Sequence, residues 1–303
     1  ATSSGLSAKH AAEKFGFSFA SSSEDEVLSD PNINAVVILT RHQVHARQVI
    51  TALRNNKAVY CEKPLAVTLE ELKDIENEIT RADCPLLRVG FNRRFALMAV
   101  KLREFFSNRT EPMAIHYRVN AGYLPPTHWL HDPHQGGGRI IGEGCHFIDF
   151  LTYLTGSTPL TVTGSALDDI GKYKNDNVIL TFKYSDGSVG TVTYLANGNK
   201  NYPKEQVEVF CGGKIGLLND FSGDLRQLNR HWNAAIALIK GIGLSHAGIT
   251  LHGYFEYMVD EKDLVASPIK YAATKGIANI PDQAFAVFLP EKTMSFLMNR
   301  SSS

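Results

Sequence analysis

The chain has 303 residues, a length that suggests about two domains of ordinary size. Hydrophobic residues make up 44% of the sequence and charged residues 20%, which is the composition of a folded globular protein. Basic and acidic side chains both number 31, and this balance argues against a nucleic-acid partner, which usually requires a basic excess. The sequence has no apolar run of about 20 residues, so we expect no membrane span.

The first hundred residues alternate between helix and strand patterns. The predicted elements are, in chain order, a helix beginning near residue 6, a strand at 35–40, a helix at 44–55, a strand at 58–61, a helix at 68–81, a strand at 86–90 and a helix at 93–106. Thr68 can cap its helix, and Glu71 three residues later completes a capping box. Strands that alternate with helices predict βαβ units and a doubly wound parallel sheet.

The pattern changes near residue 107 to strand-like stretches separated by turn residues. These stretches lie at 115–120, 160–167, 177–184, 188–195 and 206–211, with one helix at about 144–154. Ser185-Asp186-Gly187 predicts a hairpin turn. We therefore predict an α/β protein with a partial Rossmann sheet in residues 1–108. An α+β domain with a mostly antiparallel open sheet is expected to follow in residues 109–303.

Two short segments lie where ligands bind in doubly wound sheets, outside the carboxyl ends of the strands. The segment Cys61-Glu62-Lys63-Pro64 follows one strand, and a lysine there can donate a proton to a developing alkoxide or accept one. The alternative is an exposed loop lysine. The segment from Thr40 to His45 opens a helix after the preceding strand, a position suited to a dinucleotide, or else a helix-capping turn with surface histidines.

The richest stretch is GGGRIIGEGCHFID at residues 136–149. Its three glycines allow the backbone to approach a neighbour closely. His146 and Asp149 are three residues apart on one face of the following helix. His146 can therefore orient a hydroxyl and relay its proton, or it can be a buried structural histidine bonded to Asp149.

The remaining histidines and the cysteines do not indicate a metal site. His128, His131 and His134 are spaced three apart in a Pro/Gly loop, unlike the i, i+4 pair of a helical zinc site, so we interpret the loop as a polar substrate loop. The four cysteines form no C-x-x-C pair. Scattered cysteines of this kind favour a reducing compartment, and we predict a cytoplasmic protein.

Taken in order, these segments resemble the glucose–fructose oxidoreductase/inositol dehydrogenase/MocA (Gfo/Idh/MocA) family. The resemblance rests on Thr40 with His45, on Glu62-Lys63-Pro64, on GFNRRF at 90–95 and on GGGRIIGEGCHFIDF at 136–150, and it extends to about residue 221. It implies an NAD(P)-dependent enzyme that moves a hydride between the nicotinamide and a secondary hydroxyl of a sugar, a cyclitol or a derivative. The run GGGRIIGE followed by CHFID resembles most a subgroup in which this module follows a zinc-alcohol-dehydrogenase-like module.

The resemblance also implies roles for individual residues. Lys63 corresponds to the catalytic lysine between the nicotinamide and the reacting hydroxyl, Glu62 to the residue near the nicotinamide ribose, and His146 to the active-site histidine. The family usually carries an aspartate four residues before that histidine, where this chain has Gly142. Either the adjacent Glu143 substitutes for the aspartate, or the catalytic set is incomplete.

The resemblance leaves the cofactor open between NAD and NADP. Ser3 and Ser4 correspond to the end of a strand at which an acidic residue binds the ribose of NAD, and they offer no carboxylate, which favours NADP. No G-x-G-x-x-G turn follows a predicted strand, and the family places it before residue 1. We therefore expect residues 1–303 alone to bind a dinucleotide weakly. The segment after residue 221, with Trp232, Gly241 and Gly243, matches nothing in the family.

Candidate substrate residues are Arg93, His128, Trp129 and Asp149. Apolar residues on both alternations of the strand at 177–184 predict a homodimer or homotetramer through the outer face of the second sheet. Two other functions stay open: a glycosidase that oxidises its sugar transiently, and a non-catalytic nucleotide- or sugar-binding module or truncated pseudoenzyme.

Overall fold

The computed structural model describes residues 1–220 and one further strand, Ala284–Phe288. The chain divides into two units, and the second begins at Phe91, earlier than the boundary predicted after residue 108. The difference arises because the helix Leu97–Phe105 packs on the second sheet, where Leu102 and Phe106 cover Gly216. The predictions on Trp232, Gly241 and Gly243 lie outside the described residues.

The described elements of the first unit are α1 (Gly5–Phe15), α2 (Glu24–Ser29), β1 (Ile33–Ile38), α3 (His45–Arg54), β2 (Ala58–Cys61), α4 (Leu69–Ile79), β3 (Leu87–Val89) and β10 (Ala284–Phe288). Among the described residues, its four strands form a parallel sheet with the order β10-β1-β2-β3. The predicted parallel sheet is confirmed. The sequence predicts no strand at residues 284–288, which lie inside the predicted second domain, 109–303. Strand β10 nevertheless pairs with β1 and so belongs to the first sheet.

The core of the first unit explains why these segments are helices and strands. Strand β1 is apolar on both faces, and Val36 and Ile38 are buried together with Val59 of β2. Val49 of α3 and Ile75 of α4 join the same cluster. The strand ends of this unit therefore project from a rigid, packed sheet.

Helix α4 begins with the predicted capping box. The Thr68 hydroxyl accepts a hydrogen bond from the Glu71 amide at 3.1 Å, and the Glu71 carboxylate accepts one from the Thr68 amide at 3.2 Å. Both contacts satisfy amide groups that the first turn of a helix leaves without partners. The prediction from the Thr68 and Glu71 spacing is confirmed.

The second unit contains a six-stranded sheet with the order β5-β6-β7-β4-β8-β9. Its elements are α5 (Leu97–Phe105), β4 (Ala114–Asn120), α6 (Cys145–Thr155), β5 (Pro159–Ala166), β6 (Val178–Tyr184), β7 (Val189–Leu195), β8 (Glu205–Cys211) and β9 (Lys214–Asn219). All neighbouring strands are antiparallel except β4 and β7, so the predicted mostly antiparallel sheet is confirmed. The predicted turn at Ser185-Asp186-Gly187 joins β6 to β7, with Gly187 at φ 85°.

Only one face of the second sheet is covered by the described helices. Tyr117 of β4 is fully buried against Phe147 and Phe150 of α6. On the opposite face, hydrophobic side chains such as Ile179 and Ile215 remain 47% and 66% exposed. This second face is called the open face below.

Three further elements differ from the predictions. Helix α2 and strand β9 were not predicted, although Ser23 caps α2 and two glycines with positive φ precede β9. The helix predicted at 93–106 is instead a 3-10 turn, Asn92–Phe95, followed by α5, with an extended Ala96 between them. In the part of the chain that the structure describes, no helix is both long and apolar enough to cross a membrane.

Candidate active site

The first candidate site lies at the carboxyl ends of β1 and β2. The Glu62 amide donates to the Ile38 carbonyl at 2.9 Å, which fixes the loop after β2 to the end of β1. The Glu62 carboxylate accepts from the Lys63 amide at 3.2 Å and from the Tyr60 hydroxyl at 3.3 Å. Burial raises the pKa of Glu62, although the nearby Lys63 charge opposes this shift. The Lys63–Pro64 peptide bond is cis.

Gly90 follows β3 and borders the same carboxylate. Its amide donates to the Cys61 carbonyl at 2.8 Å. A Cβ atom added at Gly90 would lie 2.7 Å from the Tyr60 hydroxyl oxygen and 2.9 Å from a Glu62 carboxylate oxygen. Because Gly90 has no side chain, the Glu62 carboxylate can occupy this space.

The two other predicted cofactor contacts of this region are engaged inside the unit. His45 is fully buried, with Nδ1 2.7 Å from the Pro64 carbonyl and Nε2 2.9 Å from the Thr40 carbonyl. The Thr40 hydroxyl donates to the Gln48 side-chain oxygen at 2.7 Å. Burial lowers the pKa of His45, although both carbonyls favour its charged form. Both ring nitrogens of His45, a predicted cofactor contact, thus face backbone carbonyls of the two loops.

Ser3 and Ser4 lie at the beginning of α1. Ser4 is the residue before the first helical turn, and its carbonyl accepts from the Thr2 hydroxyl at 2.8 Å. Ser3 is exposed. Both positions offer hydroxyl and amide groups but no carboxylate, as the sequence indicated.

In the second unit, Arg93 belongs to a buried polar group. Its guanidinium donates twice to the Glu205 carboxylate, at 2.8 and 2.5 Å, and lies 4.8 Å from the centre of the Phe147 ring. The Tyr117 hydroxyl donates to the same carboxylate. Burial alone would raise the pKa of Glu205, but Arg93 outweighs it and the net pKa lies below the ordinary value. This bidentate pair anchors the turn after β3 to strand β8.

Arg94 forms a second bidentate pair, with Asp149 of α6. Its Nε donates to the Asp149 carboxylate at 2.6 Å, and one terminal nitrogen donates to the other carboxylate oxygen. Burial raises the pKa of Asp149, and Arg94 offsets only part of that shift. Arg93 and Asp149, both predicted as substrate residues, therefore have partners within the protein. Asp149 pairs with Arg94 instead of His146.

A π-helical turn, Ile140–Gly144, follows the three glycines at 136–138 and leads into α6, the helix that carries His146. A Cβ atom added at Gly136 would lie 2.3 Å from the backbone of Leu130, so the chain passes itself at close range there. His146 is buried in the first turn of α6, and the Phe91 ring meets it edge to face at 6.3 Å between centroids.

Glu143 lies in the same π-helical turn and is held from two sides. Arg139 donates to its carboxylate at 3.2 Å, and the Tyr194 hydroxyl also donates to it. Burial, together with the Glu143 charge, raises the pKa of Tyr194, so that this hydroxyl keeps its proton. Arg139 is itself fixed by a 2.7 Å bond to the Gly122 carbonyl. The structure thus provides an oriented carboxylate next to Gly142.

The sequence did not predict the buried polar group that Asp176 forms with His131 and Arg139. The Asp176 carboxylate lies 3.6 Å from His131 Nε2 and 3.9 Å from an Arg139 nitrogen, and all three side chains are buried. Burial raises the pKa of Asp176 to about 6, and the nearby Arg139 guanidinium opposes only part of this shift. Asp176 stands in a polar loop of the sequence, so no local pattern marks it.

The loop that carries His128, His131 and His134, here called the histidine loop, contains no metal centre among the described residues. His128 and Trp129 begin a short 3-10 turn, and His128 Nδ1 accepts from the Leu130 amide at 3.2 Å. Both side chains are half-buried, with ring centroids 5.8 Å apart. Within residues 1–220, no group of three or more histidine, cysteine or acidic side chains is placed to hold a metal ion.

A parallel sheet with a lysine and a carboxylate at one strand end, followed along the chain by an open, mostly antiparallel sheet, is the architecture of the two-domain nicotinamide-dependent oxidoreductases. A family model described as an oxidoreductase family with an NAD-binding Rossmann fold matches residues 2–91. A second model, described as the GFO/IDH/MocA C-terminal domain, matches residues 110–214. The chain belongs to the Gfo/Idh/MocA family of oxidoreductases.

Individual relatives agree with this membership. The chain is 29% identical over 215 residues to myo-inositol 2-dehydrogenase of Thermotoga maritima, covering 69% of this chain and 63% of the relative. It is 31% identical over 159 residues to scyllo-inositol 2-dehydrogenase (NAD(+)) of Bacillus subtilis, covering 52% and 45%. A levoglucosan dehydrogenase solved with NADH and levoglucosan superposes with a TM-score of 0.62 at 25% identity, covering 72% and 62%. The chain thus spans about half to two thirds of the length of these relatives.

The residues of the first unit fit the nicotinamide end of a dinucleotide. Lys63 and the Glu62 carboxylate stand at a strand end of the sheet that the family model describes as NAD-binding, and the lack of a side chain at Gly90 lets the carboxylate take its position. Among the described residues, no glycine-rich turn follows a strand of the first sheet. The fit therefore concerns the nicotinamide and its ribose, not the pyrophosphate.

Proposed function

We propose that the protein is an NAD(P)-dependent dehydrogenase acting on a secondary hydroxyl of a sugar, a cyclitol or a sugar derivative. The observation that carries this proposal is the placement of Lys63 directly after β2, next to a Glu62 carboxylate that the protein holds from two sides. The relatives named as inositol dehydrogenases and as a levoglucosan dehydrogenase support the substrate class.

The bound nicotinamide would supply the hydride chemistry, while the protein positions the reactants and handles the proton. Lys63 would hold or accept the proton of the reacting hydroxyl, and Glu62 would contact the nicotinamide ribose. Ser3 and Ser4 would lie near the adenosine ribose, where the lack of a carboxylate favours NADP. The solved relative with NADH supports NAD instead, so the test uses both cofactors.

In the second unit, His146 would orient the reacting hydroxyl and Glu143 would take the place of the family's aspartate. The support for Glu143 is its hydrogen bonding, because Arg139 and Tyr194 both stabilise its ionised form. His128 and Trp129 would contact the substrate from the histidine loop.

Substitution of Lys63 tests this proposal. Lys63→Ala should lower kcat by about 10²–10⁴-fold, the usual contribution of a general acid or base, with little change in cofactor affinity. Lys63→Arg should not restore turnover, because a guanidinium stays protonated. Initial rates are measured on myo-inositol, scyllo-inositol and levoglucosan with millimolar NAD⁺ or NADP⁺, so that weak dinucleotide binding does not hide turnover. Lys73→Ala, on the exposed side of α4, is the control and should behave as the parent protein.

A second candidate function is a non-catalytic nucleotide- or sugar-binding module. Gly142, at the position of the family's aspartate, favours it. If Lys63→Ala keeps near-parental turnover, Lys63 is not the catalytic acid or base. If no substrate of the panel is oxidised while ligand binding is measurable, this second function replaces the first. His146→Ala should reduce turnover less than Lys63→Ala, since positioning of the hydroxyl is shared with Glu143.

We further propose a second copy of this chain as a partner, through the open face of the second sheet. Hydrophobic side chains on that face support it: Ile179, Val189, Phe210, Ile215 and Leu217 are each at least 40% exposed. The four cysteines are free thiols, which supports a reducing, cytoplasmic location. The motif GGGRIIGE supports the subgroup that carries a zinc-alcohol-dehydrogenase-like module.

A further inference from the structure

We propose that His45 is a positioning residue, which holds the Lys63 loop in its working conformation through the backbone carbonyl of Pro64. The inference rests on the proposed role of Lys63 in proton transfer. His45 lies in the first turn of α3, and its ring reaches the loops that follow β1 and β2. These loops carry Thr40 on one side and Lys63 on the other.

The geometry leaves Lys63 between two fixed points. On one side, the Glu62 amide is bonded to the Ile38 carbonyl at 2.9 Å. On the other side, the Pro64 carbonyl lies 2.7 Å from His45 Nδ1. The backbone of Lys63 is therefore held on both sides.

The chemistry of the ring identifies the stronger of its two contacts. Carbonyl oxygens only accept hydrogen bonds, and a neutral imidazole carries a single N–H donor. Since both nitrogens of His45 face carbonyls, the neutral ring can donate to only one of them. The contact to Pro64 is the shorter, 2.7 Å against 2.9 Å for Thr40, so we assign the donor to Nδ1.

Thr40, whose carbonyl lies near Nε2, belongs to a wider hydrogen-bond network. The Thr40 hydroxyl donates to Gln48, and the Gln48 amide donates to Glu24 of α2 at 2.5 Å. Arg47 forms an ion pair with the same Glu24 carboxylate. His45 is thus the only one of these side chains that touches the backbone next to Lys63, while the rest of the network supports Thr40.

Two conservative variants separate the two contacts. An asparagine amide reaches about as far from the backbone as Nδ1, and a glutamine amide about as far as Nε2, so each keeps one donor position. His45→Asn should preserve the Pro64 contact and His45→Gln the Thr40 contact, whereas His45→Ala removes both. The control is Val49→Ala, a fully buried residue on the same helix whose truncation destabilises the unit without touching either loop.

The first readout is the reactivity of the Lys63 amine. Competitive acylation with acetic anhydride, followed by mass spectrometry, compares Lys63 with the exposed Lys73 in the same sample. We expect a several-fold change of the relative Lys63 rate in His45→Ala and His45→Gln. His45→Asn and Val49→Ala should retain the parental ratio. This measurement needs no substrate, so it tests the inference even if the proposed dehydrogenase activity is not found.

The second readout separates positioning from stability. In the dehydrogenase assay, His45→Gln and His45→Ala should lose about 10–10²-fold in kcat, the usual cost of a displaced catalytic group, while KM for the cofactor changes little. His45→Asn should keep most of the turnover, and Val49→Ala should lose thermal stability but not kcat. A Lys63 acylation ratio that is the same in all four variants, or a kcat that falls only in step with thermal stability, overturns the proposal.

Discussion

Gly90 is a residue at which the first candidate site has little room for additional volume. In Gly90→Ala, the new methyl group would lie within 3 Å of the Tyr60 hydroxyl and the Glu62 carboxylate. The carboxylate must move, so we expect weaker NADH and NADPH binding in a fluorescence titration and a loss of about 1–3 kcal/mol in unfolding free energy.

Gly5→Ala is the matched control for this substitution. No atom lies within 4 Å of the position that its Cβ would take, at the first residue of α1. Dinucleotide binding should be unchanged, and stability should stay equal or rise by up to about 1 kcal/mol because the unfolded chain loses freedom. Equal dinucleotide affinities for the two variants would contradict the proposed role of the space beside Glu62.

Asp176 gives the second unit a predictable pH dependence. Its pKa is raised by burial to about 6, above the ordinary value of 3.8, so the folded state binds its proton more tightly than the unfolded state. This contribution to stability is fully present below about pH 4 and is lost as the pH rises through 6. In urea denaturation, the unfolding free energy of Asp176→Asn relative to that of the parent protein should therefore rise between pH 4.5 and 7.5, by on the order of 1–3 kcal/mol.

The control for this pH effect is Asp168→Asn, an exposed aspartate in the preceding segment. The difference in unfolding free energy between Asp168→Asn and the parent protein should stay flat over the same pH range. If Asp176→Asn also gives a flat difference, the carboxyl group does not hold a proton more tightly in the folded state.

Individual residues differ in how well the sequence locates their partners. Lys63 and Glu62 were placed at a strand end from the sequence, because one continuous apolar run precedes them. The partner of Arg93 was not predictable, since Glu205 lies 112 residues away and only the pairing of the second sheet brings it near. The contacts of His45 are hard to predict for a similar reason, because its partners are backbone carbonyls, which no side-chain pattern reveals.

Among the secondary-structure elements, α4 offers the clearest test of local energetics. Thr68→Ala removes the hydroxyl that accepts from the Glu71 amide and should lower the unfolding free energy by about 1 kcal/mol in urea denaturation. Thr80→Ala at the other end of α4 is the control, because the Thr80 hydroxyl donates to a carbonyl and satisfies no helix amide. The unfolding free energy of Thr80→Ala should fall by no more than about 0.5 kcal/mol. Equal losses for the two variants would contradict the contribution of the cap.

Elements with a strong internal pattern were predicted well, and those set by tertiary contacts were not. The capping box and the apolar face of α4 both lie within the sequence of that helix. The break at Ala96 has no such signal, because it follows from the Arg93 and Arg94 ion pairs that hold the preceding turn. Strand β9 was missed since its alternation spans only six residues, Lys214–Asn219.

At the scale of the whole molecule, the open face of the second sheet predicts self-association. Ile179 and Ile215 lie on this face, 47% and 66% exposed, and glutamate at either position would bring a charge into a paired apolar surface. Analytical ultracentrifugation should show a dimer or tetramer for the parent chain and a shift toward monomer for Ile179→Glu and Ile215→Glu. Leu69→Glu, on the exposed side of α4, should keep the parental mass. A monomeric parent chain would rule out the interface.

The position of strand β4 in the second sheet has a consequence for the order of events during synthesis. Of the six strands of this sheet it leaves the ribosome first, yet its two neighbours, β7 and β8, are made only after α6, β5 and β6. Its buried side chains Ile115, Tyr117 and Val119 have no strand beside them until then. The hairpins β6–β7 and β8–β9 pair strands that are adjacent in the sequence, so we expect them to form before β4 is inserted between them. Until then, the nascent chain would carry an exposed apolar segment that a chaperone can bind.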